Sequence, residues 1–352
     1  MRAPWIAAVM SALLLLSACG VEPGNGDGGS AKQPDKKAAL IIAQGGLGDE
    51  AYNDLAYQGF KEATEKHGVA GRPIESKDIV AEGEQLVRTA AGSGYGLIAD
   101  LEFSHADMLG KVAKDFPDVQ FAIVNVEVDG PNVTSILFKE HEGSYLAGVL
   151  AGLVTKDTDN PKINGANKIG FIGGTKSTGI DKFLIGYMQG ARSVNPDVQF
   201  DIKYADSFGD AAKGQQIAKQ MYADGTDIIY AVAGGTGAGV IQAAKETGHY
   251  AIGVDTDQDA IAKGHVLTSM IKRTDLAMSN LVRDYAEGKL SGGTTIAYGL
   301  KEDGVGLSPM KYTKQDVPGD VLAKVEQAKQ DIVEGKVEVW DVTEQGYPSW
   351  AK

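Results

Sequence analysis

Cysteine is almost absent from this chain: Cys19 stands alone among 352 residues. A lone cysteine excludes an internal disulfide framework and a cysteine-built metal cluster. Histidine is nearly as scarce, and His67, His105, His141, His249 and His265 show no metal-binding spacing. No G-x-S-x-G elbow occurs, so nothing marks a serine nucleophile. Basic charge is in deficit, with 34 Lys and Arg against 47 Asp and Glu and a net charge of −13. Nucleic acid demands a basic surface, so it is excluded as a partner. Long apolar runs are missing as well. The most apolar stretch, Ile6 through Leu16, falls short of the roughly 20 residues that span a bilayer as a helix.

That short run has another use. Arg2 precedes it, and it ends in Leu16-Ser17-Ala18-Cys19-Gly20. A positive start, a short apolar core and small residues before the cut describe a signal peptide. The residues around Cys19 resemble the lipobox of lipoprotein signal peptidase. The pattern predicts removal of residues 1–18 and a lipid on Cys19, holding the protein to the extracytoplasmic face of the cell membrane. Residues 19–37 are rich in Gly and charge, cannot build a core, and read as a flexible tether.

The remaining stretch exceeds one comfortable core and suggests two lobes. Apolar runs alternate with amphipathic ones. Ala39–Ala43, Gly96–Ala99 and Phe121–Val124 read as buried strands, with helices marked by Tyr52 to Ala63 and by Met108 to Ala113. The pattern then restarts. Lys168–Ile172 ends at Gly173-Gly174 as the first strand ends near Gly45-Gly46, and Phe200–Tyr204, Asp227–Val232 and Tyr250–Val254 follow. Strands apolar throughout, separated by helices, predict a parallel sheet covered on both faces. Two such halves predict an α/β fold of two doubly wound parallel-sheet lobes joined by a hinge. Ligands bind such sheets beyond the carboxyl ends of the strands.

Several residues fall on that edge. Tyr52 and Phe208 each sit beside a strand-to-helix loop, one per half, where the pair could clamp a flat ring. From spacing alone, Tyr52 fits the apolar stripe of its helix equally well. Gly235-Thr-Gly-Ala-Gly239 opens a helix, with Asp255 about twenty residues beyond. The full dinucleotide pattern fails because the third glycine comes one position early. Bare backbone at Gly234 and Gly235, with an acid at Asp255, still suits sugar hydroxyls. Asp255-Thr-Asp-Gln-Asp259 is not a calcium loop, since Ala260 and Val266 stand where Gly and Glu are needed. Acids this numerous make chance carboxylate pairs common, so no glycosidase dyad is assigned.

Five segments in order resemble the basic membrane protein family, the PnrA-like substrate-binding lipoproteins of nucleoside ABC transporters. They are Gly45–Asn53, Phe138–Gly148, Tyr204–Gly214, Ala233–Gly237 and Gly253–Gln258. The resemblance implies a type I periplasmic-binding-protein fold. It implies a receptor that is not an enzyme, needs no metal or cofactor, acts as a monomer, and delivers a nucleoside, purine by expectation, to a transporter permease. By position it carries the base-stacking pair onto Tyr52 and Phe208, the sugar contacts onto Asp255, Lys272 and Gly234, and the base edge onto Gln44 and Asn125. Two departures stand out. Ala43 replaces the family's base-reading acid and Asn125 replaces another, which implies a relaxed base preference. The expected lobes are 38–138 with about 266–300, and 139–265 with about 301–352. A surface sensor or adhesin of the same fold, holding a sugar-like molecule without transport, is the rival reading.

Overall fold

The computed structural model describes residues 36–351, so the predicted signal peptide, Cys19 and nearly all of the tether lie outside them. The first lobe runs β1 (Lys37–Ile41), α1 (Tyr52–His67), β2 (Ala70–Ile74), α2 (Ile79–Gly92), β3 (Leu97–Asp100), α3 (Ala106–Asp115), β4 (Gln120–Val124) and β5 (Val133–Phe138). The second continues with α4 (Glu140–Val154), β6 (Lys168–Gly173), α5 (Thr178–Val194), β7 (Gln199–Tyr204), α6 (Ala211–Ala223), β8 (Ile228–Val232), α7 (Gly235–Thr247), β9 (Tyr250–Asp255) and β10 (Val266–Lys272). The chain then returns to the first lobe for α8 (Thr274–Ala286) and β11 (Thr294–Tyr298). It then runs on in the second with β12 (Val305–Leu307), α9 (Gly319–Val333) and the short α10 (Val342–Gln345).

Each lobe holds a six-stranded sheet. The orders are β11-β5-β4-β3-β1-β2 and β12-β10-β9-β8-β6-β7, parallel throughout except for the antiparallel β10–β12 pair. The first five strands of each half thus share one order, second-first-third-fourth-fifth. This is the repeat visible in the sequence. In that order the topological switch lies between the first and third strands, where a crevice opens at the carboxyl edge. Here the switch points are β1/β3 and β6/β8.

The expected lobe boundaries need two corrections. Val266–Lys272, expected in the first lobe, pairs with β9 in the second sheet, so the chain crosses back only after Lys272. A run buried on both faces packs equally well in either sheet, and nothing local distinguishes them. Lys37, expected in the tether, is the first residue of β1. Three crossings connect the lobes, after Phe138, after Lys272 and after Tyr298. They are tied together by Lys139 N–H to Tyr298 O (2.9 Å) and Arg273 N–H to Gly304 O (2.9 Å).

Helix α4 is apolar nearly all round and almost wholly buried, as a helix enclosed by neighbours must be. It lies against α5 at glycine contacts. A Cβ on Gly190 would fall 2.0 Å from Tyr145 O, and one on Gly148 would fall 2.1 Å from Tyr187 O.

Candidate ligand-binding site

The carboxyl edges of the two sheets face each other across a cavity of about 570 Å³. The first lobe supplies Ala43 and Gln44 after β1, Tyr52 from α1, Leu101 and Glu102 after β3, and Asn125 after β4. The second supplies Phe208 after β7, Gly234 after β8, Asp255 at the end of β9 and Lys272 at the end of β10. The lobes also touch beside the cavity. Gln258 Nε2 donates to Glu50 O across the gap at 3.0 Å, and a Cβ on Gly45 would lie 3.2 Å from Phe208 O.

Local chemistry fixes each wall. The chain leaves β1 through Gly45 and Gly46, at φ 98° and 72°, which strongly favours glycine. Ala51, the residue before α1, has no capping side chain. Asp49 does that work instead, accepting from Ala51, Asn53 and Asp54 N–H at 3.0, 2.9 and 3.1 Å. Asn53 is buried and fastens the loop back to β1, accepting from Ala43 N–H at 3.0 Å and donating to Gln44 O at 3.2 Å. Tyr52 therefore starts a well-anchored helix. Its hydroxyl donates to Leu101 O (3.0 Å) and accepts from Asn125 Nδ2 (3.1 Å). The hydroxyl is thus pinned in the lobe, while the side chain lines the cavity. Opposite it, Phe208 has room because a Cβ on Gly174 would fall 2.2 Å from its ring.

The second lobe carries the charges. Gly234 adopts φ 52°, ψ −134°, a conformation open to glycine almost alone, and so ends β8 in a sharp turn into α7. Asp255 sits at φ 67° with 7 % of its surface exposed, and among the described residues nothing donates to its carboxylate. Burial drives its pKa up to about 7, with Lys272 opposing the rise and Asp49 and Glu140 adding to it. Lys272, 2 % exposed, spans the lobes: its Nζ donates to Asn125 Oδ1 at 2.6 Å and to Glu140 Oε1 at 2.7 Å. It also lies 5.1, 5.0 and 5.6 Å from the rings of Tyr52, Phe138 and Phe183, within cation–π reach. Glu140 is buried, which alone would raise its pKa, yet Lys272 and Lys182 outweigh burial and hold it below the usual range.

Seven of the eight expected contact residues line this one cavity: Gln44, Tyr52, Asn125, Phe208, Gly234, Asp255 and Lys272. Gly235 does not. It opens α7, where a Cβ would make ordinary contacts, 3.4 Å from Phe208 O on its own lobe and 3.7 Å from Asp49 Cα on the other. Asn125 lines the cavity and also braces it, its Nδ2 donating to the Tyr52 hydroxyl and its Oδ1 accepting from Lys272.

Glu102 is the residue that sequence reasoning missed. It is 1 % exposed and faces the cavity beside Gln44. Its carboxylate accepts from Ser104 N–H (3.1 Å) and Ser104 Oγ (2.6 Å), from Gln44 N–H (3.1 Å), and from Gln44 Nε2 at 3.3 Å to each oxygen. Behind it, Asp100 accepts from Glu102 N–H (3.0 Å) and pairs with His105 Nδ1 (2.8 Å), while His105 Nε2 meets Ile79 O at 2.9 Å. Both ring nitrogens face oxygen atoms, an arrangement that suits a doubly protonated ring. Burial disfavours that charge, but Asp100 prevails and the His105 pKa is raised. The expectation of a relaxed base preference takes no account of this acid, whose carboxylate stands in the cavity wall beside Gln44. The available signal is its place two residues past a strand legible in the sequence, on the ligand-facing edge.

Comparison with known proteins fits this geometry. Residues 36–340 match the family model described as ABC transporter substrate-binding protein PnrA-like. The chain is 36% identical to the ABC transporter nucleoside-binding protein BmpA of Lactococcus lactis subsp. cremoris, covering 95% of this chain and 97% of that protein. It is 39% identical to the CD4+ T-cell-stimulating antigen of Listeria innocua, over 94% and 96% of the two chains. Among solved structures, an ABC transporter system solute-binding protein from Aeropyrum pernix K1 superposes with TM-score 0.81 at 28% identity, over 87% of this chain and 93% of that one.

Proposed function

The chain belongs to the PnrA-like family of ABC transporter substrate-binding proteins, extracytoplasmic solute receptors of the type I periplasmic-binding-protein fold, and from that premise we propose that it binds a nucleoside. The observation that carries the proposal is Asp255. A carboxylate buried without a donor is costly unless something completes it. Beside it lie the Lys272 ammonium and the bare turn at Gly234. Adjacent sugar hydroxyls are donors of the right kind, and Tyr52 and Phe208 face the space a base would fill. The name of the Lactococcus lactis relative supports the same class of ligand.

The ligand bridges the lobes and favours the closed form, which presents the receptor to its permease. The polar groups bind and orient, and the receptor releases its nucleoside unchanged. Phosphorylated nucleosides are rejected, because two lysines in the cavity wall are outnumbered by carboxylates, and both are engaged with Glu140. A lipid on Cys19 tethers the monomeric receptor to the membrane.

Native mass spectrometry of the protein as purified, followed by calorimetric titration after unfolding and refolding to remove bound solute, tests the proposal. A retained mass matching a nucleoside, and stoichiometric binding that ribose or a nucleotide does not reproduce, is expected. Release of free base from bound nucleoside would mean catalysis, and failure to bind any nucleoside would overturn the reading.

A further inference from the structure

Glu102 and Gln44 form a unit whose free bonding capacity is countable. A carboxylate offers about four lone-pair positions. Oε1 spends its two on Ser104 N–H and Ser104 Oγ, and Oε2 spends one on Gln44 N–H. The fourth is covered by the Gln44 amide, which sits 3.3 Å from both oxygens at once. Bonds from N–H groups to carboxylates run shorter and point at one oxygen when well made. This contact is therefore the weak member of the set, and Gln44 is only partly buried and free to turn. While its nitrogen faces the carboxylate, its carbonyl oxygen is the end left for a solute.

We propose that Glu102 and Gln44 present two acceptors side by side, and so select ring systems that carry a ring N–H next to an exocyclic amine. The proposal rests on the nucleoside reading and specifies its base. A guanine-type edge supplies both donors in one plane. Hypoxanthine supplies the ring N–H alone. Adenine turns a ring nitrogen lone pair toward the carboxylate, and uracil flanks its N–H with two carbonyls that the acceptors repel. The incoming ring N–H takes the position on Oε2 that the Gln44 amide holds, and Gln44 O receives the amine. The Asp100–His105 pair behind Glu102 keeps the carboxylate aimed through the bond to Glu102 N–H.

Calorimetric titration of the lipid-free mature chain with guanosine, inosine, adenosine, uridine and 1-methylguanosine tests this. Guanosine should bind tightest, inosine next, and adenosine and uridine about 10- to 100-fold more weakly than guanosine. That is the change one hydrogen bond to a charged group produces. Methylation at N1 should cost as much. E102Q should bring the guanosine-to-adenosine ratio close to one, and Q44A should narrow the gap between guanosine and inosine. Should E102Q fail to fold, Q44A and the methylated ligand decide the matter. Equal binding of all the nucleosides, or an unchanged ratio in folded E102Q, overturns the assignment and leaves the nucleoside reading standing. Binding of none overturns both.

Discussion

Replacing Asp255 with asparagine should strengthen the empty protein and cripple the receptor. The wild-type carboxyl holds its proton up to about pH 7 in the fold, against 3.8 for an unperturbed aspartate. Between those values the native state binds a proton that the unfolded chain releases. Its contribution to stability is therefore complete below about pH 4 and is lost as pH rises through about 7. At 1.36 kcal/mol per pKa unit, the full cost at pH 8 is about 4 kcal/mol. An asparagine amide is neutral at every pH and escapes it. Thermal unfolding of ligand-free Asp255→Asn should show a higher Tm than wild type at pH 8, with the advantage shrinking to nothing near pH 4. Binding runs the other way. Hydroxyl donors require the ionised acid, so wild-type nucleoside affinity should fall about tenfold per pH unit below about 7. In Asp255→Asn that slope should vanish and affinity at pH 8 should drop by about two powers of ten, two charged hydrogen bonds being reduced to weaker ones. A lower Tm at pH 8 with unchanged affinity would refute the reasoning, because Asp255 would then be a structural cap.

Phe208→Ala should weaken nucleoside and free base alike by about 1–3 kcal/mol, the worth of one stacked ring, read as equal shifts in the two titrations. Gly83→Ala would set a Cβ 2.1 Å from His105 Nε2. Overpacking of that kind costs about 1–3 kcal/mol in chemical denaturation, and by displacing the support of Glu102 it should also erode base discrimination. Cys19→Ala should release the protein from the membrane fraction and abolish labelling by palmitate; membrane retention with unchanged processing would dismiss the lipid anchor. Small-angle scattering should show the radius of gyration falling when a saturating nucleoside is added to solute-free protein.

The fold was legible because its strands are buried on both faces. Apolar runs such as Phe121–Val124 and Asp227–Val232 announce central parallel strands, and the restart at Lys168 announces the second lobe. Peripheral strands leave weaker traces. β2 is Ala-Gly-Arg-Pro-Ile, half exposed at a sheet edge where proline is tolerated, and it resembles a loop. β11, Thr-Thr-Ile-Ala-Tyr, is mostly exposed and lacks the apolar run that marks the others. β10 is hidden for the opposite reason, since an interior strand fits either sheet until its partner is known. At the site, residues beside glycine-rich turns are legible, because such turns mark the ligand edge. Glu102 escapes notice because Asp100-Leu-Glu102 has no glycine, and the capping bonds to Ser104 that orient it depend on the turn's three-dimensional path. Asn125 is legible as a lining residue but not in its task, since its two partners come from distant parts of the chain.

The division of the site between lobes determines what can close it. Gln44 and Glu102, the groups proposed to read the ring, sit on the first lobe, and Gly234, Asp255 and Phe208 sit on the second. A ligand shifts the open–closed balance only by its difference in affinity for the two forms. Bound as proposed, free ribose would reach Asp255 and leave the Glu102 edge unfilled, so it would gain little from closure. A free base would occupy the edge and the aromatic pair but supply no donor to the buried carboxylate. A nucleoside would engage both lobes at once, and its two ends are joined by a covalent bond, so the second set of contacts would form without a further loss of translational freedom. The direct contacts between lobes include Gln258 to Glu50, Lys272 to Asn125 and the glycine approach at Gly45. If the proposed nucleoside reading holds, closure should be coupled to occupancy by an intact nucleoside, the condition under which a permease should be offered this receptor.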